Sequence, residues 1–325
     1  MPITAVEKDL DALTMTITAD FPVPVRRLWD AYADPRQLER FWGPREWPAT
    51  FTRHDMFPGG RSHYVMTGPD GESAGGWWEF LDVEPPHAFE VLDGFAGPDG
   101  QPAQDMPTTR MRFTFEETAH GSRLVVRAVF TSAEDLDELL RMGMEEGTVS
   151  AMSQIEEVLD DAGDRTPSRP ARSQLLNDTQ VRVSRVVSGS LEDVSEAHRR
   201  PDLLQRWLLG PDGWTMPVCE VAEEPGDTYR YEWESEDGQQ RFGFTGELLE
   251  AQPPHREVTS EQMIGMDGPG TTNELTLTPV DGGTLLSLVI TYPDRELRDT
   301  VLGTGMVDGM EASYARLESE VLAAR

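Results

Sequence analysis

The 325-residue sequence contains one cysteine, Cys219, and one lysine, Lys8. A single thiol excludes an internal disulfide and a cysteine-rich metal site, and it fits a reducing compartment. No apolar run approaches the roughly 20 residues needed to cross a bilayer, and the first ten residues lack a basic stretch followed by an apolar one. These absences predict a cytoplasmic chain without membrane insertion. The six histidines, at 54, 63, 87, 120, 198 and 255, form no H-x-x-x-H pair, so zinc-type spacing is missing. Missing too are a G-x-S-x-G elbow, a phosphate-binding loop and a dinucleotide fingerprint. No cofactor and no metal are expected.

Positive charge is scarce: 28 basic residues face 59 acidic ones, a formal charge of −31. That balance repels phosphate backbones and anionic lipid, which excludes nucleic acid as a partner. Residues 1–162 hold 13 basic and 30 acidic side chains (−17), residues 180–325 hold 12 and 27 (−15), and residues 163–179 hold three Arg and two Asp (+1). An even split of charge suggests two similar solvated surfaces. The length is about twice that of a common domain.

What is abundant is self-similarity. Asp34-Pro35-Arg36-Gln37-Leu38-Glu39-Arg40-Phe41-Trp42-Gly43-Pro44 returns as Arg200-Pro201-Asp202-Leu203-Leu204-Gln205-Arg206-Trp207-Leu208-Leu209-Gly210-Pro211. Pro58-Gly59 is answered by Pro225-Gly226, and Val83-Glu84-Pro85-Pro86-His87 by Ala251-Gln252-Pro253-Pro254-His255. Gly147 to Leu159 is answered by Gly309 to Val321. An offset held between 162 and 168 residues over four landmarks means duplication. The expected organisation is a domain over 1–162, an exposed Pro/Ser/Arg-rich linker over 163–179, and a second domain over 180–325.

Within each copy the order of elements is the same. Thr14 to Asp20 alternates as a strand, Pro24 opens a short helix carrying Val25, Leu28, Trp29 and Tyr32, and Pro35 to Phe41 forms another. Strands are predicted near 49–55, 61–67, 76–83 and 88–95, then through Met111, Phe113 and Phe115 and through Leu124, Val126, Ala128 and Phe130. Ser132 to Asp160, and Arg295 to Leu322 in the second copy, read as helical, with Gly143 and Gly147 predicting a break or close packing. Strands in hairpin order with helices at the ends predict an α+β layer: a curved antiparallel sheet wrapped on a long C-terminal helix, twice.

Trp29, Asp34-Pro35, Leu38, Phe41-Trp42-Gly43-Pro44, Phe57-Pro58-Gly59-Gly60-Arg61, Tyr64, Met66, Gly68-Pro69-Asp70-Gly71, Val83-Glu84-Pro85-Pro86 and Gly143-Met144-Glu145-Glu146-Gly147 together resemble the SRPBCC (START-like) superfamily. Within it, they resemble the branch named for activators of heat-shock protein 90 ATPase homologues. The second copy keeps Trp207, Gly210-Pro211, Pro225-Gly226 and Pro253-Pro254, but has Gly226-Asp227-Thr228-Tyr229 and Glu236-Asp237-Gly238 where the first has Gly-Gly-Arg and Gly-Pro-Asp-Gly. The resemblance implies tandem helix-grip folds, each with a deep apolar cavity. Relatives bind lipids, polyketides or other hydrophobic molecules, and a few cyclise polyketides, hydrolyse ligands or confer resistance to a toxic metabolite. It carries no implication of chaperone work, which in eukaryotic relatives relies on an additional domain.

Ligand contacts are therefore expected from aromatic rings and adaptable thioethers. In the first copy these are Trp42, Trp47, Met56, Tyr64, Met66, Trp78, Phe80, Phe89, Phe113, Met144 and Met152. In the second they are Trp207, Trp214, Tyr231, Trp233, Phe244, Met306 and Met310. Core packing accounts for any one of them equally well. An enzyme, a polyketide cyclase or hydrolase, would need polar groups in the cavity, and the candidates are Arg61, Tyr64 and Glu79. Strand alternation puts Arg61 on the opposite face from Tyr64, and a solvated Arg61–Glu79 cross-strand pair is the simpler expectation. His87 and His255 follow Pro-Pro and are expected in turns. The reading favoured by the sequence is a non-catalytic binder of a hydrophobic or aromatic small molecule; an interaction protein with a filled interior is the remaining alternative.

Overall fold

Apolar alternation makes strands in both halves of the chain. In the computed structural model, which describes residues 2–97, 100–104, 106–160 and 170–323, β1 (Ile3–Asp9) pairs antiparallel with β2 (Thr14–Phe21). Met15, Ile17, Ala19 and Phe21 of β2 are all buried. Two short helices follow, α1 (Val25–Ala33) and α2 (Pro35–Leu38). Val25, Leu28, Trp29 and Tyr32 of α1 are buried at the helical spacing the sequence predicts. Asp34 caps α2 by accepting from the Arg36 backbone N–H, with Pro35 in the first turn, where its missing donor costs nothing.

The remaining strands are β3 (Ala49–His54), β4 (Arg61–Thr67), β5 (Ser73–Glu84), β6 (Ala88–Ala96), β7 (Thr109–Thr118) and β8 (Gly121–Val129). They form one antiparallel sheet of eight strands in the order β1-β2-β8-β7-β6-β5-β4-β3. A bulge in β5 between Phe80 and Asp82 bends the sheet. The C-terminal helical region is two helices, α3 (Ala133–Arg141) and α4 (Met144–Leu159). They are separated at Gly143, whose φ of 88° lies in the left-handed region that glycine occupies without strain. The expected single long helix is thus broken where Gly143 suggests.

The second half repeats the plan. Strands β9 (Arg172–Leu175), β10 (Gln180–Val187), β11 (Trp214–Glu220), β12 (Thr228–Ser235), β13 (Arg241–Gln252), β14 (Arg256–Met263), β15 (Thr271–Val280) and β16 (Gly283–Thr291) have the same order from edge to edge. The bulge recurs in β13 between Leu248 and Glu250. The helices are α5 (Leu191–Arg199), α6 (Pro201–Trp207), α7 (Arg295–Leu302) and α8 (Met306–Arg316). Gly305, with φ 83°, separates the last two, and α8 runs on as a π-helical stretch, Leu317–Leu322.

The chain divides into two compact units, Met1–Arg165 and Thr166–Arg325. Of the linker expected over 163–179, residues 163–169 lie outside the described residues. Residues 172–175 are the edge strand β9, paired with β10. This strand and β1 were not anticipated, because edge strands need only one paired side and carry little apolar alternation.

Candidate functional site

The side of each sheet that faces its C-terminal helix can be followed strand by strand. In the first unit Ser62, Tyr64 and Met66 of β4 point inward together, opposite Trp78, Gly76 and Ala74 of β5. The next strand adds Phe89, Val91 and Asp93, with Asp93 directly opposite Trp78. In the second unit the same register brings together Tyr229, Tyr231 and Trp233 of β12, Phe242, Phe244 and Gly246 of β13, and Glu257, Thr259 and Glu261 of β14.

Trp78 anchors the first site. It is fully buried and lies edge-on to Trp42, ring centroids 4.6 Å apart. Its rings also approach Phe51, Tyr64, Phe80, Phe89 and Phe113. Phe89 stacks on Phe113 at 4.4 Å and 13°, and Tyr32 closes over both. Rings therefore occupy the α1 end of the space between sheet and helices. At the other end Trp42, Trp47 and Met66 are only half-buried. Met56 is buried just after β3, Met152 is buried on α4, and Met144 is half-buried in its first turn. Tyr64 has its room because β5 carries Gly76 opposite: a Cβ there would come within 2.2 Å of the tyrosine ring.

One polar group interrupts this aromatic layer. Asp93 Oδ1 accepts a hydrogen bond of 2.8 Å from the Trp78 indole. Burial raises its pKa to about 6, only partly offset by that N–H. Asp93 is hemmed in by protein and yet half-accessible. Burial, together with the nearby Asp93 charge, pushes the Tyr64 phenol well above its ordinary range, and the Trp42 indole hydrogen-bonds its oxygen.

The second unit uses different side chains in the same places. Trp233 stacks on Phe242 at 5.1 Å and 12°, with Trp214 edge-on to Phe242. The Trp233 indole donates to the Leu208 carbonyl at 2.6 Å. Tyr231, Phe244, Met306 and Met310 are half-buried. Trp207 is core: buried, donating to the Ala197 carbonyl and stacked on Tyr314. Tyr229 lies over Gly246, donates to the Ser260 carbonyl at 3.0 Å and reaches Glu261 Oε2 at 3.4 Å. Asn273 also hydrogen-bonds Glu261, whose pKa burial raises despite both contacts. Glu257 is raised by burial too, against the pull of Arg199 at 3.5 Å.

Arg61, Tyr64 and Glu79 do not converge. Arg61 sits directly across from Glu79 at 3.5 Å on the exposed face, while Tyr64 is inside. His87 is exposed in its turn. His255 lines a small cavity with Ser195, His198, Glu257 and Leu277, of about 10 Å³, room for about one water molecule. Burial lowers the His198 pKa to about 4. Among the described residues, no three His, Cys, Asp or Glu side chains could hold a metal ion, and no helix is long and apolar enough to cross a membrane.

Asp93, Glu257 and Glu261 were missed by sequence reasoning, which looked for rings. The signal was present: Asp93 and Glu261 each stand six residues beyond the His of a Pro-Pro-His turn, in phase with inward-facing positions.

A family model described as Activator of Hsp90 ATPase homolog 1-like protein matches residues 22–160 and again residues 189–321. Among solved structures, protein Ms6760 from Mycobacterium smegmatis is 50% identical over 50% of this chain and 99% of its own, with a TM-score of 0.47. A protein from Arthrobacter aurescens is 43% identical over 48% of this chain and 91% of its own, TM-score 0.47. One from Rhodobacter sphaeroides is 32% identical over 48% and 100%, TM-score 0.45. None of the curated proteins matches.

Proposed function

The chain belongs to the Activator of Hsp90 ATPase homolog 1-like family, once in each half, and on that premise we propose that each unit binds a hydrophobic or aromatic small molecule on the helix-facing side of its sheet. One observation carries this reading. Trp42 and Met66 in the first unit, and Tyr231, Phe244 and Met310 in the second, belong to the layer between sheet and helix and are nevertheless only half-buried. Large inward-facing side chains that still touch accessible space support room for an apolar guest. Rings and thioethers suit a guest of variable shape. The exposed Arg61–Glu79 pair leaves the binder without the polar trio a cyclase or hydrolase reading needs. The lone Cys219 supports a reducing, cytoplasmic setting.

The test is a thermal-shift panel of flavonoids, aromatic polyketides and fatty acids on the full chain, paired with mass spectrometry of molecules that co-purify with it. A ligand at about 100 times its Kd adds about 2.7 kcal/mol, which raises the melting temperature of a unit this size by about 5 to 10 °C. No stabilisation by any class, with no co-purifying molecule, would defeat the proposal.

A further inference from the structure

The duplication allows an internal comparison. The backbone bonds Phe115 N–H to His87 O and Leu277 N–H to His255 O, both 2.7 Å, fix the two sheets in the same register. Position by position the inner faces have diverged. Ser62 and Trp78 correspond to Tyr229 and Gly246, Phe89 to Glu257, and Met111 to Asn273. At one inward position both copies keep a carboxylate, Asp93 and Glu261.

Such a group is expensive to keep. An ionised carboxylate removed from water without a cation costs several kcal/mol, and an apolar residue of similar size there would be neutral or stabilising. Neither acid has a basic partner: the contacts of Asp93 are the Trp78 indole and the neighbourhood of Tyr64, and those of Glu261 are Tyr229 and Asn273. Both remain half-accessible, bordered by rings that can cover an apolar body or face a cation. The net charge of −31 attracts cations and repels anions at longer range.

We infer that each unit selects an amine-bearing apolar molecule, its ammonium group held by Asp93 in the first unit and by Glu261 in the second. This rests on the proposal that the helix-facing side of the sheet takes a ligand, and it adds the chemistry of the ligand's polar end.

Two probe pairs differ only at that end: naphthalen-2-ylmethanamine against naphthalen-2-ylmethanol, and dodecylamine against dodecan-1-ol. Titration calorimetry on the full chain at pH 7.5 should show each amine binding at least tenfold more tightly than its alcohol, at two sites per chain. Asp93→Asn or Glu261→Gln alone should remove one amine site, and the double variant should bring the ratio close to one. Asp93→Glu with Glu261→Asp, which keeps the charge, should retain the preference, and this swap separates loss of charge from loss of folding. Equal binding of amine and alcohol to the unaltered chain would overturn this inference and leave the ligand-binding proposal standing. A preference that survives in the double variant would overturn it in favour of bulk charge. Binding of neither member of either pair would count against both.

Discussion

Asp93 shows how a single residue couples site chemistry to stability. Its carboxyl has a pKa of about 6 in the folded chain and an ordinary value of 3.8. Between pH 4 and pH 6 the folded state therefore binds the extra proton, and stability falls as pH rises through that window. The loss amounts to at most about 3 kcal/mol above pH 6, at about 1.4 kcal/mol per pH unit of displacement. Asp93→Asn cannot titrate, so urea unfolding should find the variant gaining on the parent between pH 4 and pH 7.5; a difference that does not move with pH would mean the carboxyl is well solvated. His54 makes the opposite case of a buried polar group with its needs met. Its Nε2 faces the Tyr32 carbonyl at 2.9 Å and so carries the proton in the neutral ring, leaving Nδ1 to accept from the Ser62 hydroxyl at 2.8 Å. Ser62→Ala should cost about 1 to 3 kcal/mol in the same measurement.

Elements are held together by a few long polar side chains. Arg185 on β10 is buried and reaches Glu311 of α8 at 2.9 Å and Glu318 of the π-helical stretch at 2.8 Å. Removing one partner of such a group leaves charge uncompensated, so Arg185→Ala should destabilise the second unit by about 3 to 5 kcal/mol. Arg185→Ala with Glu311→Ala should recover part of it; additive losses would show that the pair is not coupled. A second device appears in both units. Gln154 of α4 donates to the Gly43 carbonyl at 2.9 Å, and Arg316 of α8 donates to the Gly210 carbonyl at 2.5 Å. Each ties the C-terminal helix to the loop after the second short helix, and in the first unit that loop supplies Trp42.

At the scale of the molecule, each unit has its own eight-stranded sheet and its own helices. Each half also matches the family model independently. Residues 1–160 and residues 170–325 produced separately should each unfold in one cooperative urea transition, with the circular dichroism of a mixed α/β domain. A half that stays unfolded alone would show that its stability depends on the rest of the chain. The surplus of acidic residues, spread evenly over both halves, is a property of the surface and implies nothing about the fold.

Repeat landmarks and strand periodicity were legible without coordinates, because duplication preserves spacing and a pleated, one-face-buried strand must alternate. Gly143 marked its helix break for a similar local reason: a left-handed residue favours glycine. Arg61 and Glu79 could be placed across from one another by alternation alone. The edge strands β1 and β9 could not be read, since pairing on one side imposes little pattern. Nor could the partition among the rings: Trp207 and Trp78 are sealed while Trp42 and Tyr231 stay half-open, and nothing in the residue type separates them. The meaning of Asp93 and Glu261 also waited for the fold. In sequence they are two of 59 acids; only the register of three adjacent strands turns both inward, away from any cation, where the low dielectric makes a carboxylate costly.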